Sequence, residues 1–196
     1  MYSFTGRLNY FFYNCMWGLA ICALLNHLQA RFGYMLLPTL GEPVVLNASE
    51  IKFAVQEIDL FIADSKMGEE IVSFSFDLSV DLTPLEHWNT NNVFLVVMCK
   101  HDDATVTVWD QRIKREDTTN HVLSLNREFV EYYMADINKN LKDKDVKVLL
   151  RWEVMSTVGF YYADTVEIGT LKVPAKHTKG GKRWFRPGPR NRTDNY

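Results

Sequence analysis

Apolar and polar side chains alternate most clearly in SFSFDLSVDL, where Phe74, Phe76, Leu78, Val80 and Leu82 hold one phase and Ser73, Ser75, Asp77, Ser79 and Asp81 the other. Successive side chains of a strand point to opposite faces, so this stretch predicts a strand with one buried face, its register fixed because a one-residue slip would expose every apolar group. Ile51, Phe53 and Val55 predict a strand on the same grounds, as do Val106 and Val108 before Trp109-Asp110, and Val148, Leu150, Trp152 and Val154. The run VFLVVMC, Val93 to Cys99, is apolar in both phases and predicts a central strand covered on both sides. A last strand runs from Thr165 to Val173, with Gly169 marking a bulge. Between Arg127 and Leu141, Phe129, Tyr133, Ile137 and Leu141 recur every four residues behind Asn126, as a capped helix requires, whereas Tyr132-Tyr133 favours a strand. The pattern alone leaves helix or strand open there. Strands at this spacing, without alternating helices, predict an antiparallel β-sandwich.

The N-terminal pattern differs in kind. Tyr10 to Leu28 contains no Asp, Glu, Lys or Arg, with Arg7 and Arg31 just outside it. As a helix it would extend roughly 28 Å, close to the hydrocarbon thickness of a bilayer. Cleavage as a signal peptide is disfavoured, because Leu28-Gln29-Ala30 puts a large residue where a small one is needed. The expectation is an uncleaved transmembrane anchor over 10–28, a connector over 29–46 punctuated by Pro38, Gly41 and Pro43, a body over 47–174 and a tail over 175–196. Asn26 and His27 can reach the interface; Asn14, deeper, is either a tolerated polar residue or a contact with another membrane subunit. Arg7 with the terminal amine nearly balances Arg31, so counting charges does not set the orientation.

Composition adds limits. The net charge of −2 gives no general attraction to nucleic acid, yet from Lys172 onward eight Lys or Arg face a single acidic residue, Asp194. Trp184 and Phe185 stand among those cations, and the Gly and Pro around them oppose a regular element. Cys15 and Cys22 share one face of the anchor and Cys99 is alone in the body, so the body holds no disulfide of its own. Asn47-Ala48-Ser49 and Asn191-Arg192-Thr193 are glycosylation sequons, usable only on the lumenal side.

Candidate chemistry is sparse. Ser73, Ser75 and Ser79 read as a solvated strand face, and no Gly-x-Ser-x-Gly elbow is present. His27, His87, His101, His121 and His177 lack metal-ligand spacing, there is no CxxC, and no phosphate-binding or dinucleotide fingerprint occurs. No catalytic residue, metal or cofactor is assigned. Trp88, Trp109 and Trp152 read as core anchors whose indole N–H groups find nearby acceptors, with partner contact as the alternative.

Taken in order, Arg7-x-Asn9, the anchor, Phe76-Asp77, Asp81-Leu82, Trp88-Asn89, Phe94-Leu95, Val108-Trp109-Asp110, Trp152 with Gly159, and Gly169 to Pro174 give a chain that resembles the signal peptidase complex subunit 3 family. The likeness covers nearly everything except the tail. It departs at Lys144-Asp145-Val146, where the family often carries a sequon. The resemblance implies a non-catalytic, single-pass subunit of the endoplasmic reticulum membrane, with residues 1–9 cytosolic and a lumenal β-sandwich. Its implied partners are the catalytic serine protease subunit, the other membrane subunits and membrane lipid. It also implies a strand, ending near Asp136, in the segment left open above. A lumenal module that binds cargo without a protease, and a membrane-bound hydrolase with an unrecognised site, are the rival readings.

Overall fold

The computed structural model describes residues 3–36, 46–63, 68–86, 90–114, 121–138, 140–157 and 161–178. Helix α1 spans Phe4–Leu36 and is capped by Ser3, whose hydroxyl accepts the Gly6 N–H at 3.3 Å. Its segment Phe4–Leu25 is long and apolar enough to cross a membrane, and none of that segment is buried against the rest of the chain. The helix therefore starts before the stretch 10–28 and continues through residues 29–36, where a connector was expected, since no Pro or Gly strong enough to stop it occurs before Pro38. Asn14 turns back on its own helix, donating its amide to the Tyr10 carbonyl at 2.7 Å, so a partner helix is not needed for that donor.

The remainder is an antiparallel β body in two sheets. One sheet holds β1 (Lys52–Ile62), β2 (Glu70–Asp81) and β5 (Val122–Phe129) in that order, with the short β6 (Met134–Asp136) pairing the start of β2. The other has the order β4 (Ala104–Lys114), β3 (Thr90–His101), β7 (Asp145–Ser156), β8 (Tyr162–Lys172). Their inner phases close on one core: Phe74, Phe76, Leu78 and Val80 from the first sheet meet Leu95, Val97, Val148, Leu150 and Trp152 from the second. Phe76 is the hinge of that packing, with ring centroids 5.8 Å from Phe53, 6.1 Å from Phe74 and, across the sheets, 5.9 Å from Trp109 in an edge-to-face contact. The expected sandwich is thus what the chain forms.

Segment 127–141 resolves into the end of β5 and the three-residue β6, with an irregular link between them. The helical alternative behind Asn126 is not formed. Phe129, Tyr133 and Ile137 remain half or more exposed and only Leu141 is buried, so their four-residue recurrence never marked one face. The Tyr132 N–H reaches the Val108 carbonyl at 3.0 Å, fastening this link to the edge of the opposite sheet.

Two irregularities follow from packing. Gly169 lies beside a register shift between β7 and β8, and a Cβ there would come within 3.0 Å of the Phe53 ring, so the absent side chain lets β8 approach β1. In β1 the apolar phase switches at Gln56, which bulges so that Phe53 and Val55 before it, and Ile58 and Leu60 after it, all face the core.

Candidate functional site

Of the described residues that carried the resemblance, the large aromatic ones are spent on packing and Asp77 on register. Phe76, Trp109 and Trp152 are almost completely buried. Trp152 departs from expectation in one respect: its indole nitrogen, like the nearby Tyr162 hydroxyl, has no hydrogen-bond partner among the described residues. Trp88, Asn89, Gly159 and Asn191 lie outside the described residues, as does the tail beyond residue 178.

Asp77 has a distinct task. The β1–β2 ladder shifts register at Gln56 and the β2–β5 ladder shifts between Phe76 and Leu78, so both irregularities meet at this residue. Its Oδ1 accepts the Arg127 backbone N–H at 2.7 Å, while Oδ2 accepts the Gln56 side-chain amide. Arg127 adopts φ of 50°, a left-handed conformation that a bonded N–H helps hold. One carboxylate therefore pins the phase of three strands. Asp110, in the other Asp-containing pair, is half-buried on the outer side of β4 and makes no ion pair or hydrogen bond among the described residues.

Sequence reasoning missed Glu70. It opens β2 in the inner phase, two residues before Val72, and is fully buried. Three donors converge on its carboxylate: Lys142 Nζ and His177 Nε2, each 3.0 Å from Oε1, and the Leu141 N–H, 3.3 Å from Oε2. Burial works to raise this carboxyl, but the bonds from Lys142, His177 and Leu141 outweigh it and hold the group below its ordinary value. The adjoining Thr178 donates its N–H to the Leu60 carbonyl at 2.7 Å and accepts the Leu60 N–H on Oγ1 at 3.2 Å. The chain after β8 is thus tied along the edge of β1. A charge falling in the apolar phase of the alternation was the available signal.

The nucleophile inventory takes a firmer form. Ser73 and Ser75 are buried, contrary to the solvated face expected of them, because they are short side chains in a central strand, opposite Asp59 and Glu57 on one side and Phe129 on the other. Cys99 is buried among core side chains and burial pushes its thiol up to about 12, which leaves no thiolate at neutral pH. Each described histidine ring faces a carboxylate: His101 that of Asp102 at 3.4 Å, His121 that of Glu86 at 2.5 Å and His177 that of Glu70 at 3.0 Å. Among the described residues no cluster of three His, Cys, Asp or Glu is arranged to hold a metal ion. Asn47 is exposed ahead of the 3-10 turn Ala48–Glu50, with its amide 3.5 Å from Glu50 Oε1.

Comparison with known proteins decides the family. The model of the family described as "Signal peptidase subunit" matches residues 1–176. The chain belongs to the signal peptidase subunit family. A protein of Saccharomyces cerevisiae named signal peptidase complex subunit 3 is 34% identical over 159 residues, 76% of this chain and 85% of the relative. One of the same name from Yarrowia lipolytica is 32% identical over 119 residues, covering 57% of this chain and 63% of the relative. The Drosophila melanogaster protein of that name is 27% identical over 119 residues, 58% of this chain and 65% of the relative. The match to the last two therefore spans just under two thirds of their length. The family match takes in the apolar helix and both sheets and ends at Lys176, one residue before the His177 that bonds Glu70.

Proposed function

We propose that this protein is a non-catalytic subunit of a signal peptidase complex, held in the endoplasmic reticulum membrane by α1 with its N-terminus cytosolic and its β body lumenal. In this reading it stabilises and positions the catalytic serine protease subunit that removes signal peptides from entering chains. The observation that carries it is the family match over residues 1–176, joined to a body whose matching aromatic residues are buried in a core. Positioning is enough to make such a subunit necessary, because a displacement of about 1 Å between reacting groups can cost on the order of a hundredfold in rate. A lumenal body also makes Asn47 the accessible glycan acceptor among the described residues, exposed as that modification requires.

The test removes the body's centre from the full-length chain in cells. Deleting Phe74 to Leu82 abolishes signal-peptide cleavage and the recovery of the protease with the chain. Normal processing with the deletion in place overturns the proposal, as does cleavage of a signal-peptide substrate by this chain purified alone. Glycosidase treatment of the intact protein shifts its mobility through Asn47, and an unshifted band from an efficiently glycosylating cell places the body on the other side of the membrane.

A further inference from the structure

The inner face of the sandwich turns polar where the β7–β8 ladder ends. The last rung sets Tyr162 opposite Val154, and two residues further in Asp164 stands opposite Trp152. Val154, Tyr162 and Trp152 all belong to the core, so these four positions share the inner face. Tyr162 and Trp152 are then diagonal neighbours, roughly 7–8 Å apart at the backbone and within reach of one another's long side chains.

Trp152 is 1% exposed and Tyr162 6%, yet neither the indole N–H nor the hydroxyl has a hydrogen-bond partner among the described residues. A buried polar group left unpaired forfeits the bonds it made to water in the unfolded chain, with nothing in return. Here two such groups lie together. Trp152 offers only a donor, whereas the Tyr162 hydroxyl donates or accepts. Burial pushes the phenol above its ordinary value, so the hydroxyl keeps its proton at neutral pH. The strand carbonyls around them are spent in the ladders from β7 to β3 and to β8. What suits both atoms is a small group that accepts from the indole and shares one bond with the hydroxyl. Water meets that description, and it is retained inside proteins where two to four polar partners surround it. Dry packing is favoured only in apolar surroundings, and Asp164 makes these polar. It is half-buried on the same face, with Oδ1 accepting the Thr165 N–H at 2.8 Å. A carboxylate accepts about four bonds in all, so a bond from a water adds to those it already makes.

We propose that β7 and β8 enclose a site for one ordered internal water, held between the Trp152 indole N–H and the Tyr162 hydroxyl. The bridge fastens the two strands through side chains at the rung where their backbone ladder stops. It also fixes the plane of the Trp152 ring beside Leu95, its register partner on β3.

The experiment uses the full-length chain, solubilised or within its complex, in a density map fine enough to show ordered waters. The map should hold one peak within hydrogen-bond distance of both Trp152 Nε1 and Tyr162 Oη. Chemical denaturation of the solubilised chain gives a second readout. Tyr162→Phe removes the hydroxyl and keeps the ring, and it should lower the folded-to-unfolded ratio about threefold to tenfold by taking a partner from the water and so from the indole. A hydroxyl with no partner predicts the opposite sign, because its removal would relieve a buried cost. An empty map at that point overturns the assignment, as does a direct bond between the two side chains or a protein group in the water's place. A Tyr162→Phe chain no less stable than wild type overturns it too. Should that variant fail to fold, the wild-type map decides without it.

Discussion

The two outer faces of the sandwich are built from similar strands and finished in opposite ways. On the first sheet, β2 presents Ser73, Ser75, Asp77 and Ser79, and its neighbours close over them until Ser73 and Ser75 are buried, while Asp77 bonds to both flanking strands. On the second, β3 presents Phe94, Val96 and Met98, of which Val96 is as buried as the serines and the other two are half-buried, and Asp110 beside them makes no ion pair or hydrogen bond among the described residues. Both central strands are covered, the first through short polar side chains and a bonded acid, the second through apolar side chains. The lesson is that polarity by itself does not tell how far a strand face is covered. What decides it is how much of that face the neighbouring strands take up.

The strongest attack on this contrast goes through the core that both faces share. Phe76→Ala should cost about 3–5 kcal/mol in chemical denaturation of the solubilised chain, and amides of β2 and β3 should lose protection together. Retained protection in β3 would mean that the sheets fold as separate units. Next, Glu70→Ala should cost about 1–3 kcal/mol by leaving Lys142, His177 and the Leu141 N–H without their acceptor, read as early protease cutting after Val173. Because the folded value of Glu70 lies below its ordinary 4.5, wild-type stability from this group is complete above that pH and is lost as pH falls through the lower folded value. Glu70→Gln should flatten that part of the acid profile.

Asp77→Ala should cost about 1–2 kcal/mol and speed exchange at the Arg127 amide, with little change on the far sheet. An unchanged Arg127 amide would show that the two bulges are set by the turns rather than by the carboxylate. The smallest effect sharpens the comparison most. Met98→Glu should change the stability of the chain by less than about 1 kcal/mol, whereas Ser75→Glu, placing an acid at a buried position, should cost at least twice as much. Similar losses at the two positions would mean that the faces are closed to the same degree.

Much of the architecture could be read from the chain itself. Phe74 to Leu82 announced β2 because any slip would have reversed its faces, and Gly169 announced a bulge because alternation broke there. Less legible was anything set by a neighbouring strand. Ser73 and Ser75 looked solvated because their cover comes from Glu57, Asp59 and Phe129 across the ladders. The recurrence of Phe129, Tyr133, Ile137 and Leu141 suggested a helix because nothing local revealed that β5 would end at Phe129 and a three-residue strand follow. At the candidate site, Phe76, Trp109 and Trp152 could be placed inward from their type and phase. The difference between Asp77 and Asp110 could not, since each depends on what the next strand offers. Glu70 and His177 lie 107 positions apart, and no spacing rule joins them.

The Glu70 tie has a practical reading. Anyone trimming this polypeptide for expression at the end of β8 would discard His177 and Thr178, baring the edge of β1 at Leu60 and removing one of the counterparts of an enclosed acid. A terminus placed after Thr178 keeps that seam shut, so His177 and Thr178 act as a clasp whose loss would be mistaken for intrinsic fragility of the domain.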